Sequence, residues 1–175
     1  MKCAIICAQG LEECEALVTY DILFRSGIET DLLGLEKDIV SSHKVNFKTH
    51  KLLSEVNILD YDCIVLPGGI PGTNNLEASP LVQKAIDEFV KHGKYIAAVC
   101  AAPSILIHKG LLKDNKFTCY PGFESYLKST GAKAYQDNKF ITGKGLGATI
   151  EFAAMIVKNL VGEDKAKETL NKIQY

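Results

Sequence analysis

Long apolar runs, paired CxxC cysteines and an excess of charge of either sign are all missing from this 175-residue sequence. Each absence removes a class of function. Twenty Lys and Arg nearly cancel twenty-one Asp and Glu, leaving a formal net charge of -1. There is no basic run and no aromatic signature of an RNA binder, so neither sequence-specific nucleic acid nor an anionic membrane is expected as a partner. No apolar stretch approaches the roughly 20 residues that cross a bilayer. The first one, Cys3 to Ala8, is too short for a secretory signal and reads as a buried strand, so a cytoplasmic protein is expected. The six cysteines lack zinc-site spacing, and no metal is expected. Cys3, Cys7, Cys63 and Cys100 lie in strand-like apolar runs, where cysteine behaves as a small buried hydrophobe in a reducing compartment. No repeat, low-complexity tract or long linker divides the chain, which reads as one domain over residues 1–175.

What is present is an alternation of short apolar runs with longer amphipathic ones. That is the pattern of a mostly parallel sheet covered by helices, an α/β fold. Strands are expected at Cys3–Ala8, Thr30–Leu35, Cys63–Leu66, Tyr95–Cys100 and Phe140–Thr142. Helices are expected at about Glu12–Ser26, Pro80–His92, Ala102–Lys109, Gly122–Ser129, Ala148–Val161 and Glu163–Ile173. Asp38–Leu53 has no helical period and reads as a small β-hairpin excursion. In an open parallel sheet, ligands gather at the carboxyl ends of the strands, and three of these strands end in unusual sequences.

The first such end is Tyr95-Ile96-Ala97-Ala98-Val99-Cys100, followed at once by Ala101-Ala102-Pro103 and a helical run. A sharp strand-to-helix turn crowds its neighbours, and Ala98-x-Cys100-x-Ala102 places small residues on both sides of the apex, as glycines do in the nucleophile elbow of serine hydrolases. Pro103 suits a first helical turn. The sulfur would then sit at a helix N-terminus, where the dipole favours thiolate. The alternative is an inert core cysteine, which the elbow spacing disfavours.

The second end is Leu66-Pro67-Gly68-Gly69. Adjacent glycines can aim N–H groups at one point, so Gly68 and Gly69, with Ala101, are candidate oxyanion donors beside Cys100. Pro-Gly-Gly also marks ordinary turns. The third is Gly10-Leu11-Glu12-Glu13-Cys14-Glu15. Acids at a helix N-terminus suit the dipole, which accounts for Glu12 and Glu13. Glu15 shares a face with Val18, Thr19 and Ile22, and a carboxyl on an inward apolar face should have a raised pKa. Cys100 and Glu15 are thus the candidate catalytic pair. His108 lies about 12 Å along the helix from Cys100 at 1.5 Å per residue, and His92 about 20 Å away at the far end of the strand. A Cys-His protease is unsupported.

Taken together, Gly10 to Glu15, Val65 to Gly69, Ala97 to Pro103 and Thr142-Gly143-Lys144-Gly145-Leu146-Gly147-Ala148 resemble the ThiJ/PfpI superfamily, in the branch of Parkinson disease protein 7 and its bacterial relatives. The resemblance spans essentially the whole chain. It implies a flavodoxin-like three-layer sandwich, usually a homodimer, with Cys100 as an oxidation-sensitive nucleophile and Glu15 as its hydrogen-bonded partner. It also implies a glutathione-independent reaction on reactive dicarbonyls, methylglyoxal to lactate, or deglycation of early glyoxal adducts on protein or nucleotide. The alternatives are an oxidative-stress sensor acting through Cys100 and, distantly, a chaperone or thiamine-pathway protein. The chain departs from the family at Tyr120, where some members carry histidine before the proline matching Pro121, and at His43, where many have an arginine. Tyr120, Cys119 and His43 are therefore candidate pocket residues. The Gly143–Gly147 glycines lack the full phosphate-loop pattern and read as tight packing beside the elbow; no cofactor is implied.

Overall fold

The computed structural model describes all 175 residues, Met1–Tyr175. Nine strands form along the chain: β1 (Lys2–Cys7), β2 (Glu29–Gly34), β3 (Asp38–Val40), β4 (Asn46–Lys48), β5 (Lys51–Leu52), β6 (Cys63–Leu66), β7 (Tyr95–Val99), β8 (Ala134–Asp137) and β9 (Phe140–Gly143). Six α-helices accompany them: α1 (Glu13–Arg25), α2 (Gly72–Ala78), α3 (Pro80–Lys91), α4 (Pro103–His108), α5 (Thr149–Val161) and α6 (Glu163–Lys172). Seven strands make one sheet in the order β5-β2-β1-β6-β7-β9-β8. All neighbours run parallel except β8, which pairs antiparallel with β9 at the edge.

The strand sequences are apolar at nearly every position because both faces are covered. In β1, Cys3, Ile5 and Cys7 enter one core while Ala4 and Ile6, with Ala8 just after the strand, enter the other. The first core packs under Ala16 and Leu23 of α1 and Phe152, Ile156 and Val157 of α5. The second packs under Val82, Ile86 and Phe89 of α3 and Ile105 and Leu106 of α4. The result is the expected three-layer, flavodoxin-like α/β sandwich. The parallel register β1–β6–β7–β9 brings the ends of four strands to one edge. The expected hairpin is β3–β4, with Ile39 opposite Phe47. It is tied down over the turn after β1 by Gly10 N–H to Val40 O and Ser42 N–H to Leu11 O, both 2.8 Å.

One expected helix does not form. Residues 122–129 are turns and irregular chain, with Gly122 at φ +96° and Ser125 at φ +53°. Phe123 and Leu127 do pack on the second core. Their i, i+4 spacing mimics a helix stripe, but the left-handed residues beside and between them break the helical path. Three elements were not expected: β5 and β8, short edge strands without an apolar run, and α2, which follows Pro71 directly. No helix is long and apolar enough to cross a membrane.

Candidate active site

Cys100 closes β7 in a left-handed conformation, φ +63°. For a residue with a Cβ this costs of order 1–3 kcal/mol and persists only where the surroundings impose it. They do so from both sides. The Cys100 N–H donates to the carbonyl of Gly143 at 2.9 Å, and its carbonyl accepts the Tyr120 N–H at 2.8 Å. Ala101 and Ala102 follow in a tight turn, both buried, before α4 begins at Pro103. The small residues flanking the apex are therefore a steric requirement of the turn.

Glu15, in the first turn of α1, is fully buried. Its Oε2 accepts the Gly68 N–H at 2.8 Å, and the carboxyl lies within hydrogen-bonding reach of the Cys100 side chain. Oε1 has no donor of good geometry, although it is buried. A buried oxygen that accepts from no protein group is where a carboxyl proton resides at least cost. Burial pushes the Glu15 pKa up to about 7, and the neighbouring Glu12 adds to the rise; the Gly68 and Cys100 hydrogen bonds oppose it. Burial also pushes the Cys100 thiol up, to about 12, reinforced by the Glu15 charge and opposed by the N–H groups of Ala101 and Gly69.

These values correct the expectation of a thiolate held ionised by its backbone. Helix α4 is only six residues long, and desolvation and the adjacent carboxylate outweigh the N–H groups of Ala101 and Gly69 at the sulfur. The two groups titrate as a pair. While Glu15 is ionised the thiol keeps its proton; when Glu15 takes a proton, the charge that suppresses the thiolate disappears.

The glycines are placed differently from one another. Gly69 and Ala101 direct N–H groups at the Cys100 sulfur, as the paired-glycine reading expects. Gly68 does not: its N–H is committed to Glu15, so it is removed from the oxyanion donors and becomes the residue that holds the acid. A Cβ on Gly68 would come within 2.6 Å of Cys100 Cβ and 2.8 Å of Glu15 Oε2. This position admits no side chain.

The other candidates separate. Tyr120 is half exposed, meets Phe123 edge-on, and lines a cavity of about 500 Å³ with Pro121, Lys133, Lys144, Gly145 and Leu146. Cys119 is buried and does not line that cavity; burial and Glu124 push its thiol up to about 11. His43 sits at the hairpin turn, with Nδ1 3.1 Å from Glu12 Oε2 and 3.1 Å from Glu13 Oε1. Burial opposes ionisation of Glu13, but hydrogen bonds from its own N–H, Ser41 and His43 hold its pKa below the usual value. Donor atoms of Glu12, Glu13 and His43 lie within 4.8 Å of one another, the spacing of groups that can share a cation. The remaining histidines pair elsewhere: His50 with Asp31, His92 with Glu88 and His108 with Glu77.

Gly145, which the sequence places only among glycines packed beside the elbow, is itself a site residue. A Cβ there would lie 3.8 Å from Cys100 Sγ and 3.4 Å from the Tyr120 ring. It links the elbow to the cavity. Gly143, one strand over, would press a Cβ to 2.9 Å from both Phe152 and Val99, as expected of glycines that permit tight packing. The glycine spacing after β9 was the available signal for both.

The DJ-1/PfpI family model matches residues 1–159. Among curated proteins, the chain is 32% identical to glutathione-independent glyoxalase DJR-1.2 of Caenorhabditis elegans, over 94% of this chain and 91% of that protein. It is 36% identical to protein DJ-1alpha of Drosophila melanogaster, over 95% and 82%. Among solved structures, Toxoplasma gondii DJ-1 in its oxidized form superposes with a TM-score of 0.95 at 32% identity, covering 99% of this chain and 98% of that one.

Proposed function

The chain belongs to the DJ-1/PfpI family, and from that premise we propose that it is a cysteine-dependent enzyme converting reactive 2-oxo aldehydes to 2-hydroxy acids without glutathione. The observation that carries this reading is the buried Glu15 carboxyl, raised to about 7, against the side chain of Cys100. A base with a pKa near neutrality is suited to move protons at physiological pH.

In the proposed reaction Glu15 takes the thiol proton as the sulfur adds to the aldehyde carbon of methylglyoxal, forming the S–C bond. The proton passes to the aldehyde oxygen, giving a hemithioacetal and regenerating the carboxylate. Glu15 then removes the hydrogen on C1 as a proton. The electron pair forms the C1–C2 double bond of an enediolate as the hydroxyl proton of C1 moves to the C2 oxygen, and Glu15 returns the abstracted proton to C2. C1 is thereby oxidised to a thioester and C2 reduced to an alcohol, so no external oxidant or reductant is needed. Water cleaves the thioester, releasing lactate and the thiol. The N–H groups of Gly69 and Ala101, which act on the sulfur at rest, would donate to the developing oxyanion. Similarity to a protein named as a glutathione-independent glyoxalase supports this reading. Its test is lactate formation from methylglyoxal with glutathione absent: the wild-type protein should form it and Cys100→Ala should not. Equal rates in the two proteins contradict the proposal. Deglycation of early glyoxal adducts is the same chemistry on a larger substrate.

A second reading, oxidative sensing at Cys100, is favoured by the partly exposed sulfur, the two facing N–H groups and the free Glu15 Oε1. Two equivalents of peroxide would take the thiol to a sulfinate and yield two waters, with the Glu15 proton and the N–H groups binding its oxygens. Mass spectrometry after mild peroxide should show two oxygens added at Cys100; oxidation spread over all six cysteines contradicts sensing.

A further inference from the structure

The cavity bordered by Gly145 and Tyr120 has an electrical polarity that a three-carbon neutral dicarbonyl would not use. Its volume, about 500 Å³, falls in the range that holds ligands far larger than methylglyoxal. The Glu15 carboxyl reaches Cys100 from α1, with Glu12 close enough to Glu15 to add to its pKa rise. The cavity borders Gly145, where a Cβ would lie 3.8 Å from the sulfur, contains neither Glu12, Glu13 nor Glu15 in its lining, and is lined by two lysines. They are not equivalent. Lys133 is paired with Glu151, which also accepts the Tyr175 hydroxyl, so its charge is neutralised. Lys144 forms no ion pair with any carboxylate within 4.0 Å, and its own N–H is anchored to the carbonyl of Lys133 at 2.9 Å. It is an unpaired cation adjacent in sequence to Gly145, the glycine that borders both the cavity and the sulfur.

Resting on the glyoxalase reading, we infer that Lys144 is a specificity-determining residue that selects 2-oxo aldehydes carrying an oxoanion, a carboxylate or phosphate, at the end remote from the aldehyde. The Glu15 and Glu12 carboxylates turn such an anion away and Lys144 attracts it into the cavity. The aldehyde carbon is then left at Cys100. The covalent step is unchanged: the sulfur adds to the aldehyde and the anion takes no part in bond making.

Two haloacetyl reagents of nearly equal size read the site without requiring turnover. Iodoacetate is an anion and iodoacetamide is neutral; both alkylate Cys100 by forming an S–C bond and releasing iodide. The quantity measured is the ratio of their rate constants at Cys100, by mass spectrometry. Lys144→Gln should lower that ratio about fivefold, the effect of one unit-charge contact in a water-like medium. Lys144→Arg should keep it. Lys91→Gln is the charge-matched control, at the end of α3 that precedes the start of β7, and should also keep it. An unchanged ratio in Lys144→Gln, or an equal fall in Lys91→Gln, overturns the inference. A parallel assay compares kcat/KM for a phosphorylated three-carbon 2-oxo aldehyde with that for methylglyoxal. If both turn over and Lys144→Gln leaves their ratio unchanged, the inference fails alone. If neither turns over while the alkylation ratio responds to Lys144, the glyoxalase reading fails alone and the anion site stands; phosphate and carboxylate forms of the substrate distinguish which anion is preferred.

Discussion

Cys7 and Cys100 end two parallel strands of the same sheet, β1 and β7, and burial drives both thiols up to about 12. The causes differ. At Cys7 desolvation acts alone, the residue is fully buried, and its thiol donates to the carbonyl of Ile5. At Cys100 part of the rise comes from the Glu15 carboxylate, a charge that vanishes on protonation, and two N–H groups already face the sulfur. The backbone differs as well: Cys7 is the last residue of β1 and has no left-handed conformation, whereas Cys100 is turned out of its strand at φ +63°. Reactivity here does not come from a thiol that is ionised at rest. On the proposed chemistry it comes from a thiol whose suppression is partly reversible: burial is the larger cause, but the Glu15 share is lifted when that carboxylate takes the proton.

The largest test of this contrast is removal of each sulfur in turn. Cys100→Ala should reduce lactate formation by at least about 10³-fold. Cys7→Ala should leave turnover nearly intact and cost about 1 kcal/mol of stability in a denaturant titration, from a small core vacancy. Next, Glu15→Gln should lower turnover by about 10³-fold, since the amide cannot accept a proton, while making Cys100 easier to alkylate. The same variant carries a stability signature. The folded Glu15 pKa, about 7, lies above its ordinary 4.5, so the folded state binds the proton more tightly and unfolding free energy falls as pH rises through that window. Over those pH values the wild-type protein should lose about 3 kcal/mol relative to Glu15→Gln, and the variant should be the more stable above pH 7. Thermal unfolding at pH 5 and pH 8 measures this directly.

Gly68→Ala attacks the contact between the two groups. Its Cβ would meet both Cys100 and Glu15, and displacement of either by a fraction of an ångström should cost about 10²-fold in turnover with the thiol still present. The smallest effect is expected at His43. Its exposed ring bridges two acids at the hairpin rather than touching the sulfur, so His43→Ala should change stability by no more than about 1 kcal/mol and leave Cys100 alkylation unaltered.

Much of this site was legible in the sequence because its rules are local. Ala98-x-Cys100-x-Ala102 is a steric statement about one turn, and the inward position of Glu15 follows from helical spacing alone. The central strands were legible because both of their faces are buried. What could not be read depends on where one segment meets another. Gly68 and Gly69 are chemically identical neighbours, and only the arrival of the Glu15 carboxyl from α1 assigns their N–H groups to different partners. The balance between helix dipole and desolvation likewise required the length of α4 and the burial of Cys100. Phe123 and Leu127 had the spacing of a helix, but turn residues decided that segment. Edge strand β8 hid because Ala134-Tyr135-Gln136-Asp137 is neither apolar nor cleanly alternating.

The pH dependence of Cys100 alkylation, compared between wild type and Glu15→Gln, is the most direct test of the account. A wild-type midpoint well above that of free cysteine is predicted, with a downward move of more than about one unit when the carboxylate is removed. Identical midpoints in the two proteins, or a wild-type thiol that titrates as free cysteine does, would contradict it.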